Sequence, residues 1–219
     1  MSQKSFFKRE VGYWLLVVIP FLALPFVWDM MPDVMPIHWN VHNQPDNYAS
    51  KTFALLMPPV INLFLYVLFV FLPKLDPRRK NYELFEGPWR LFRYLFHGLM
   101  IYMFVITIVA GTGKQLNIGF LVVFAVLAMF TIFGNFMGNI RSNFFVGIKT
   151  PWTLSDTEVW QKTHRLAAKL WFFASISMMM LVILLPMTIF IWFFIIYIAV
   201  LVVYPIVYSY VLFKKRHPK

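Results

Sequence analysis

The chain has no cysteine, which excludes disulfides, iron–sulfur clusters, thiolate metal sites and a thiol nucleophile. Acidic residues are few: 9 Asp and Glu stand against 20 Lys and Arg, a formal charge of +11. Charge of either sign is scarce, at 13% of 219 residues, where a soluble domain carries about 25%. The patterns of common hydrolases and nucleotide enzymes are missing too: there is no HExxH, GxSxG, Walker loop, or GxGxxG followed by an acid. Hydrophobic residues, by contrast, reach 60% and aromatic residues 20%. That excess rules out a disordered chain and a water-soluble globule of this size. The composition is that of a membrane protein.

Crossing a hydrocarbon core of roughly 30 Å takes about 20 apolar residues in a helix. Five long uncharged runs qualify: Val11–Trp28, Thr52–Leu72, Tyr94–Ala110, Ile118–Asn139 and Leu170–Phe213. As one helix the last would be about 66 Å long, twice the core, so it must fold back. Pro186 lies near its middle and breaks it. The expected fold is all-α and integral to the membrane, a six-transmembrane-helix bundle forming a single domain over 1–219. Its spans run about 11–28, 52–72, 94–110, 118–139, 170–187 and 189–213. The first lacks a small-residue cleavage site, so it reads as a span and not as a cleaved signal peptide.

With the N-terminus inside, Lys4, Lys8 and Arg9 begin an inner set that holds all the Lys and Arg except Lys51 and Lys114. This asymmetry places both termini in the cytoplasm by the positive-inside rule. It also explains the net charge as topology and headgroup attraction, with no direct nucleic-acid partner.

Between the flanking anchors the spans hold no Asp, Glu, Lys or Arg, which argues against an ion-coupled pump. Asn62, Thr107, Asn135 and Asn139 are the polar exceptions, read first as interhelical hydrogen bonders. His97 is read as interfacial. No inverted repeat of the kind common in transporters is visible.

Two connections carry information. The outer loop 29–51 is stiffened by Pro32, Pro36 and Pro45, and Asn43 can take a left-handed turn. Ile37 and Trp39 alternate with His38 and Asn40, as in a short strand or a loop lying on the membrane, so an ordered lid is expected. The turn signals oppose a helical His38/His42 metal pair, and neither metal nor cofactor is expected. In the inner loop 140–169, Ser155 and Glu158 form a capping box that predicts a helix from Asp156. Trp152 and Trp160 suit the headgroup level, and Lys162, Arg165 and Lys169 suit an anionic leaflet. The segment reads equally as an interfacial helix or as a site for a cytoplasmic partner or for the spans themselves.

The stretch Gly147-Ile-Lys-Thr-Pro-Trp-Thr-Leu, followed by Val159-Trp160-x-Lys-Thr-His-Arg165, resembles the signature of the SdpI family of bacterial immunity and signalling membrane proteins. Pro36-x-His38-Trp39-Asn40, then Pro45-Asp46 and Ser50-Lys51, resembles the domain of unknown function often found at that family's N-terminus. This chain has Asn43 where that pattern has glycine. The resemblance implies a multi-pass protein of the bacterial cytoplasmic membrane that protects the cell against a secreted peptide toxin and can hold a transcriptional repressor at the membrane.

On that footing the expected function is non-enzymatic immunity or sensing, with no catalytic residues. Toxin or ligand contact falls to His38, Trp39, Asn40, Pro45, Asp46, Ser50 and Lys51. Partner contact and signalling fall to Gly147, Thr150, Pro151, Trp152, Thr153, Trp160, Lys162, Thr163 and Arg165. The partners are membrane lipids, the toxin and a cytoplasmic repressor. The rival is a small transporter or lipid-handling protein using Asn62, Asn135 and Asn139 around a cavity. A weaker third is an intramembrane enzyme with His38 or His164 as acid–base.

Overall fold

The structure is a computed structural model that describes residues 3–218, with side chains from Glu10 onward. Lys4, Lys8 and Arg9, counted above towards the inner face, therefore have side chains outside the described residues. The elements run α1 (Gln3–Val27), β1 (Val34–Trp39), β2 (Pro45–Ser50), α2 (Lys51–Leu75), α3 (Glu86–Gly111), α4 (Ile118–Met137), α5 (Pro151–Ser155), α6 (Thr157–Leu184) and α7 (Met187–Arg216). A 3₁₀ turn at Trp28–Met30 follows α1, and another at Arg79–Phe85 precedes α3. Six helical segments are long and apolar enough to cross a membrane. The fold is an all-α integral membrane protein with one small two-stranded sheet among its described residues.

Two boundaries differ from the hydropathy reading. The third membrane segment begins at Arg79 and the fifth at Thr157, well before their uncharged runs. Charged side chains end a hydropathy window without ending a helix. Lys162, Arg165 and Lys169 are good helix formers, and α6 carries them unbroken into the span. The inner loop is thus partly a helix. The fold-back falls where Pro186 predicts: α6 stops at Leu184, and Pro186 caps α7 by accepting from the Ile189 and Phe190 N–H groups at 3.0 and 2.9 Å.

Two compact units are distinguishable. One comprises the chain up to Val70 together with Arg93–Val122; the other comprises Phe71–Phe92 and the chain from Val123 on. In the first, Met31 and Met35 pack with Ala54 and Leu55, beside Leu24, Trp28, Ile37 and Ile108. The apolar face of the β1–β2 hairpin thereby seats on the ends of α1, α2 and α3. In the second, α6 approaches α4 so closely at Gly134 that a β-carbon there would lie 2.7 Å from the Phe172 backbone nitrogen. Here α6 and α7 are joined by Ser175 and Tyr197 hydroxyls 2.6 Å apart, and by the Trp171 indole N–H donating to Leu201 O at 3.4 Å.

Candidate functional sites: a stapled hairpin and a buried signature

The hairpin pairs Val34 with Ser50, Met35 with Ala49 and Pro36 with Tyr48, then His38 with Asn47 and Trp39 with Pro45. The register shifts on both sides of His38 leave Ile37 and then Asp46 as extra residues, as in β-bulges, which re-aim side chains. His38 Nδ1 lies 2.5 Å from Asp46 Oδ1, and both side chains are exposed. Asn40 builds the turn, its Oδ1 accepting from the N–H groups of His42 at 2.9 Å and Gln44 at 3.1 Å.

Asn43 sits at φ 59°, a conformation that glycine and asparagine tolerate best. Its side chain supplies what glycine could not: Nδ2 donates to Leu116 O at 2.8 Å, and Oδ1 accepts from Ile118 N–H at 2.9 Å. The hairpin tip is therefore stapled to the α3–α4 connection. At the base, Ser50 Oγ accepts from Phe53 N–H at 3.3 Å as the cap of α2. Lys51 Nζ donates to Met31 O at 3.3 Å, lies 3.3 Å from Asp33 and sits 5.6 Å over the Trp28 ring. A groove of about 660 Å³ opens between the hairpin and the turn after α3, lined by Pro36, Trp39, Tyr48, Gly113 and Lys114 among others. Of the expected outer contacts, His38, Pro45, Asp46 and Ser50 are exposed, while Trp39, Asn40 and Lys51 are half-buried. Trp39 packs against Ile106, Ala110 and Ile118.

The inner signature is built differently. Gly147 has φ 110°, and a β-carbon there would collide with His164 Nε2. That nitrogen accepts from Ile148 N–H at 3.0 Å, while Nδ1 faces Trp160 O at 2.8 Å, so the imidazole is neutral with its proton on Nδ1. Both ring nitrogens are occupied, which leaves His164 no vacancy for acid–base work. Trp160 stacks on His164 at 4.0 Å and donates its indole N–H to Ile140 O at 2.8 Å. Thr150 caps α5 reciprocally with Thr153, and its Oγ1 lies 3.1 Å from Ser209 Oγ. Trp152 packs 4.9 Å from the Tyr210 ring.

Trp160 and Thr163 are 1% and 0% exposed, and Thr150 and Thr153 are buried as well. These four side chains are packed inside the fold. Thr163 Oγ1 is buried and has no hydrogen-bond partner among the described residues. Pro151, Lys162 and Arg165 are exposed, with Lys162 paired to Glu158 at 2.7 Å. The expected Ser155 capping box is replaced. Ser155 ends α5 and donates to Pro151 O, and Asp156 caps α6, accepting from Glu158 and Val159 N–H at 2.8 and 3.1 Å. A carboxylate accepts such bonds more strongly than a hydroxyl. Burial alone would raise the Asp156 carboxyl, but bonds from Arg216, Val159 N–H, His217 and Glu158 N–H outweigh it and hold it well below the usual range.

Sequence reading missed two polar clusters. In the first unit, Glu10 and Arg93 form a buried two-pronged ion pair at 2.5 and 2.8 Å, with the guanidinium 3.7 Å from the Tyr13 ring centre. One turn further, His97, read as interfacial, is 0% exposed within the first unit. Its Nδ1 lies 2.6 Å from Asn62 Oδ1, and Asn62 Nδ2 donates to Leu16 O at 3.0 Å. The sequence signal was Glu10 itself, a lone acid set directly against an apolar run. In the second unit, Asp76 accepts from Phe144 N–H at 2.9 Å, and Arg78 reaches Ser142 and Leu154 O. Asn135 and Asn139 are exposed, whereas Asn62 is bonded inside the first unit. No group of three or more metal-ligating side chains is found among the described residues.

Residues 139–209 match the SdpI/YfhL protein family, and residues 15–63 match a domain of unknown function, DUF1648. The chain is 26% identical over 165 residues to the immunity protein SdpI of Bacillus subtilis (strain 168), covering 74% of this chain and 75% of that protein. No solved structure matches. Through a hairpin-bearing N-terminal segment and a Gly147–His164 signature, the chain resembles the SdpI family and is a multi-pass bacterial membrane protein.

Proposed function

We propose that the protein is a non-enzymatic membrane immunity protein whose hairpin receives a secreted peptide toxin on the outer side. The observation that carries this reading is the stapled hairpin: a polar surface at His38, Asp46 and Ser50, held at tip and base by Asn43 and Lys51. Fixing such a surface in advance lowers the ordering cost of binding. The likeness to an immunity protein over three quarters of both chains supports the same reading. In this reading both termini are cytoplasmic. A repressor meets the inner segment through its exposed residues Pro151, Lys162 and Arg165, while Gly147, Thr150, Trp152, Thr153, Trp160 and Thr163 keep that surface in shape. Trp39, Asn40 and Pro45 do the same for the outer surface.

Expression in a sensitive bacterium, followed by challenge with a panel of membrane-active peptide toxins, tests the proposal. Survival should rise for the native chain and fall for Asp46→Ala at equal membrane abundance. Equal killing of expressing and control cells, with the protein folded and abundant, overturns it. Because the chain has no cysteine, introduced cysteines at His42 and Lys114 should label from outside and one at Lys80 should not.

A further inference from the structure

From its N-terminal cap, α6 runs 28 residues, but only the stretch after Lys169 is uncharged. From Lys169 to Leu184 the rise is about 22 Å, short of the roughly 30 Å hydrocarbon core. The uncharged part of its neighbour α7, from Met187 to Phe213, rises about 40 Å. If Leu184 marks one boundary, the Lys169 backbone lies several ångströms inside the other. A cation at that depth needs an anion or a route to the headgroups. Lys169 is exposed and has no carboxylate or carbonyl partner among the described residues, and neither has Arg165 one turn before it. Glu158, the nearest acid on the helix, is taken by Lys162 and Arg216.

Below Lys169 lies an open groove of about 450 Å³ between α6 and α7. Leu170, Phe173 and Ala174 line one side and Val200 and Tyr204 the other. Its walls are apolar apart from Lys169 and the exposed Tyr204 at one end. The volume falls within the range of ordinary ligand sites, about 300–1,000 Å³. An apolar trough with an unpaired ammonium at one end is complementary in shape and charge to a phospholipid, with acyl chain along Phe173 and Ala174 and phosphate at Lys169. The ammonium of Lys169 in the groove lining, with Arg165 one turn before it outside that lining, favours a headgroup of net negative charge, because a zwitterionic one brings its own cation. We propose that the α6–α7 groove is a binding site for one anionic phospholipid, with Lys169 as the phosphate ligand and the groove as the acyl-chain seat.

The test uses the full chain purified in mild detergent, with phosphatidylglycerol and phosphatidylcholine of identical acyl chains added in equal amounts and retention read by native mass spectrometry. The native protein should retain one phosphatidylglycerol in preference to phosphatidylcholine. Lys169→Gln should weaken that retention about fivefold, as expected for one basic residue near an anionic headgroup. Ala174→Phe, which fills the groove while leaving both cations, should weaken it comparably. Lys114→Gln should leave it unchanged, and excess inorganic phosphate should not displace the lipid. Retention undiminished in Lys169→Gln, or undiminished in a folded Ala174→Phe, overturns the site, as does displacement by phosphate alone. Unchanged melting of each variant shows that it has folded.

Discussion

The imidazole of His164 occupies the space that any side chain on residue 147 would need, and its Nε2 accepts the hydrogen bond of the very next N–H, that of Ile148. Glycine is required at 147 for two independent reasons, the left-handed φ and the missing β-carbon. Gly147→Ala should therefore destabilise the protein by about 1–3 kcal/mol, the usual range for a strained backbone position. Thermal melting in detergent measures it, and a melting point equal to the native one would sink the idea. His164→Phe should also destabilise, because it leaves the Ile148 N–H without its acceptor, at about 1–3 kcal/mol for a buried group.

Asn43 separates conformation from bonding. Asn43→Gly keeps the positive φ but removes both bonds to the α3–α4 connection, a loss of about 1–3 kcal/mol for two hydrogen bonds. Asn43→Ala loses the same bonds and adds left-handed strain. Limited proteolysis of the hairpin should accelerate from native to glycine to alanine. If the glycine variant is cut no faster than the native chain, the staple holds nothing.

Arg93 and Glu10 form a buried pair, so removing one partner strands the other. Arg93→Met alone should cost about 3–5 kcal/mol. Combining it with Glu10→Gln should recover much of that loss, since a neutral pair no longer leaves an unpaired buried charge. Denaturant titration of the two single variants and the double variant closes the cycle. Strictly additive losses would mean that the two residues do not act as a pair.

Asp156 sets a pH dependence. Its folded carboxyl titrates below the unfolded value of about 3.9, so its stabilising contribution is complete above that pH. The contribution is lost as pH falls through the folded value. Asp156→Asn should be less stable than the native chain at neutral pH, with the gap closing below about pH 4. Two melting curves that stay parallel from pH 7 to strongly acidic conditions would remove Asp156 from the account.

Runs of apolar residues revealed the six spans because a membrane tests each segment on its own composition, and Pro186 revealed the fold-back for the same local reason. Alternation at Ile37–Asn40 and the turn residues similarly pointed to an ordered lid, with a short strand as one reading, and the structure forms it as a two-stranded hairpin. The clusters escaped because they join distant residues. Glu10 and Arg93 are 83 positions apart and Arg78 and Ser142 are 64 apart, and no local pattern marks either pair. Asp156 was hidden by proximity: Ser155 offered a familiar box, and only the end of α5 at Ser155 shows which residue is free to cap α6. In the inner signature, a motif read equally as an interfacial helix or a contact site has Thr150, Thr153, Trp160 and Thr163 buried. Trp160 and Thr163 look alike as buried anchors or as docking residues until their neighbours are known.

The unbroken run of α6 from the Asp156 cap to Leu184 places the Val159–Arg165 half of the inner signature and the fifth span on one continuous helix. The helix that crosses the membrane therefore also carries Trp160 and His164, the two side chains that bond the carbonyl of Ile140 and the N–H of Ile148. The bend at Gly147 is thus tied to the fifth span through side chains of that span's own helix, with no intervening loop.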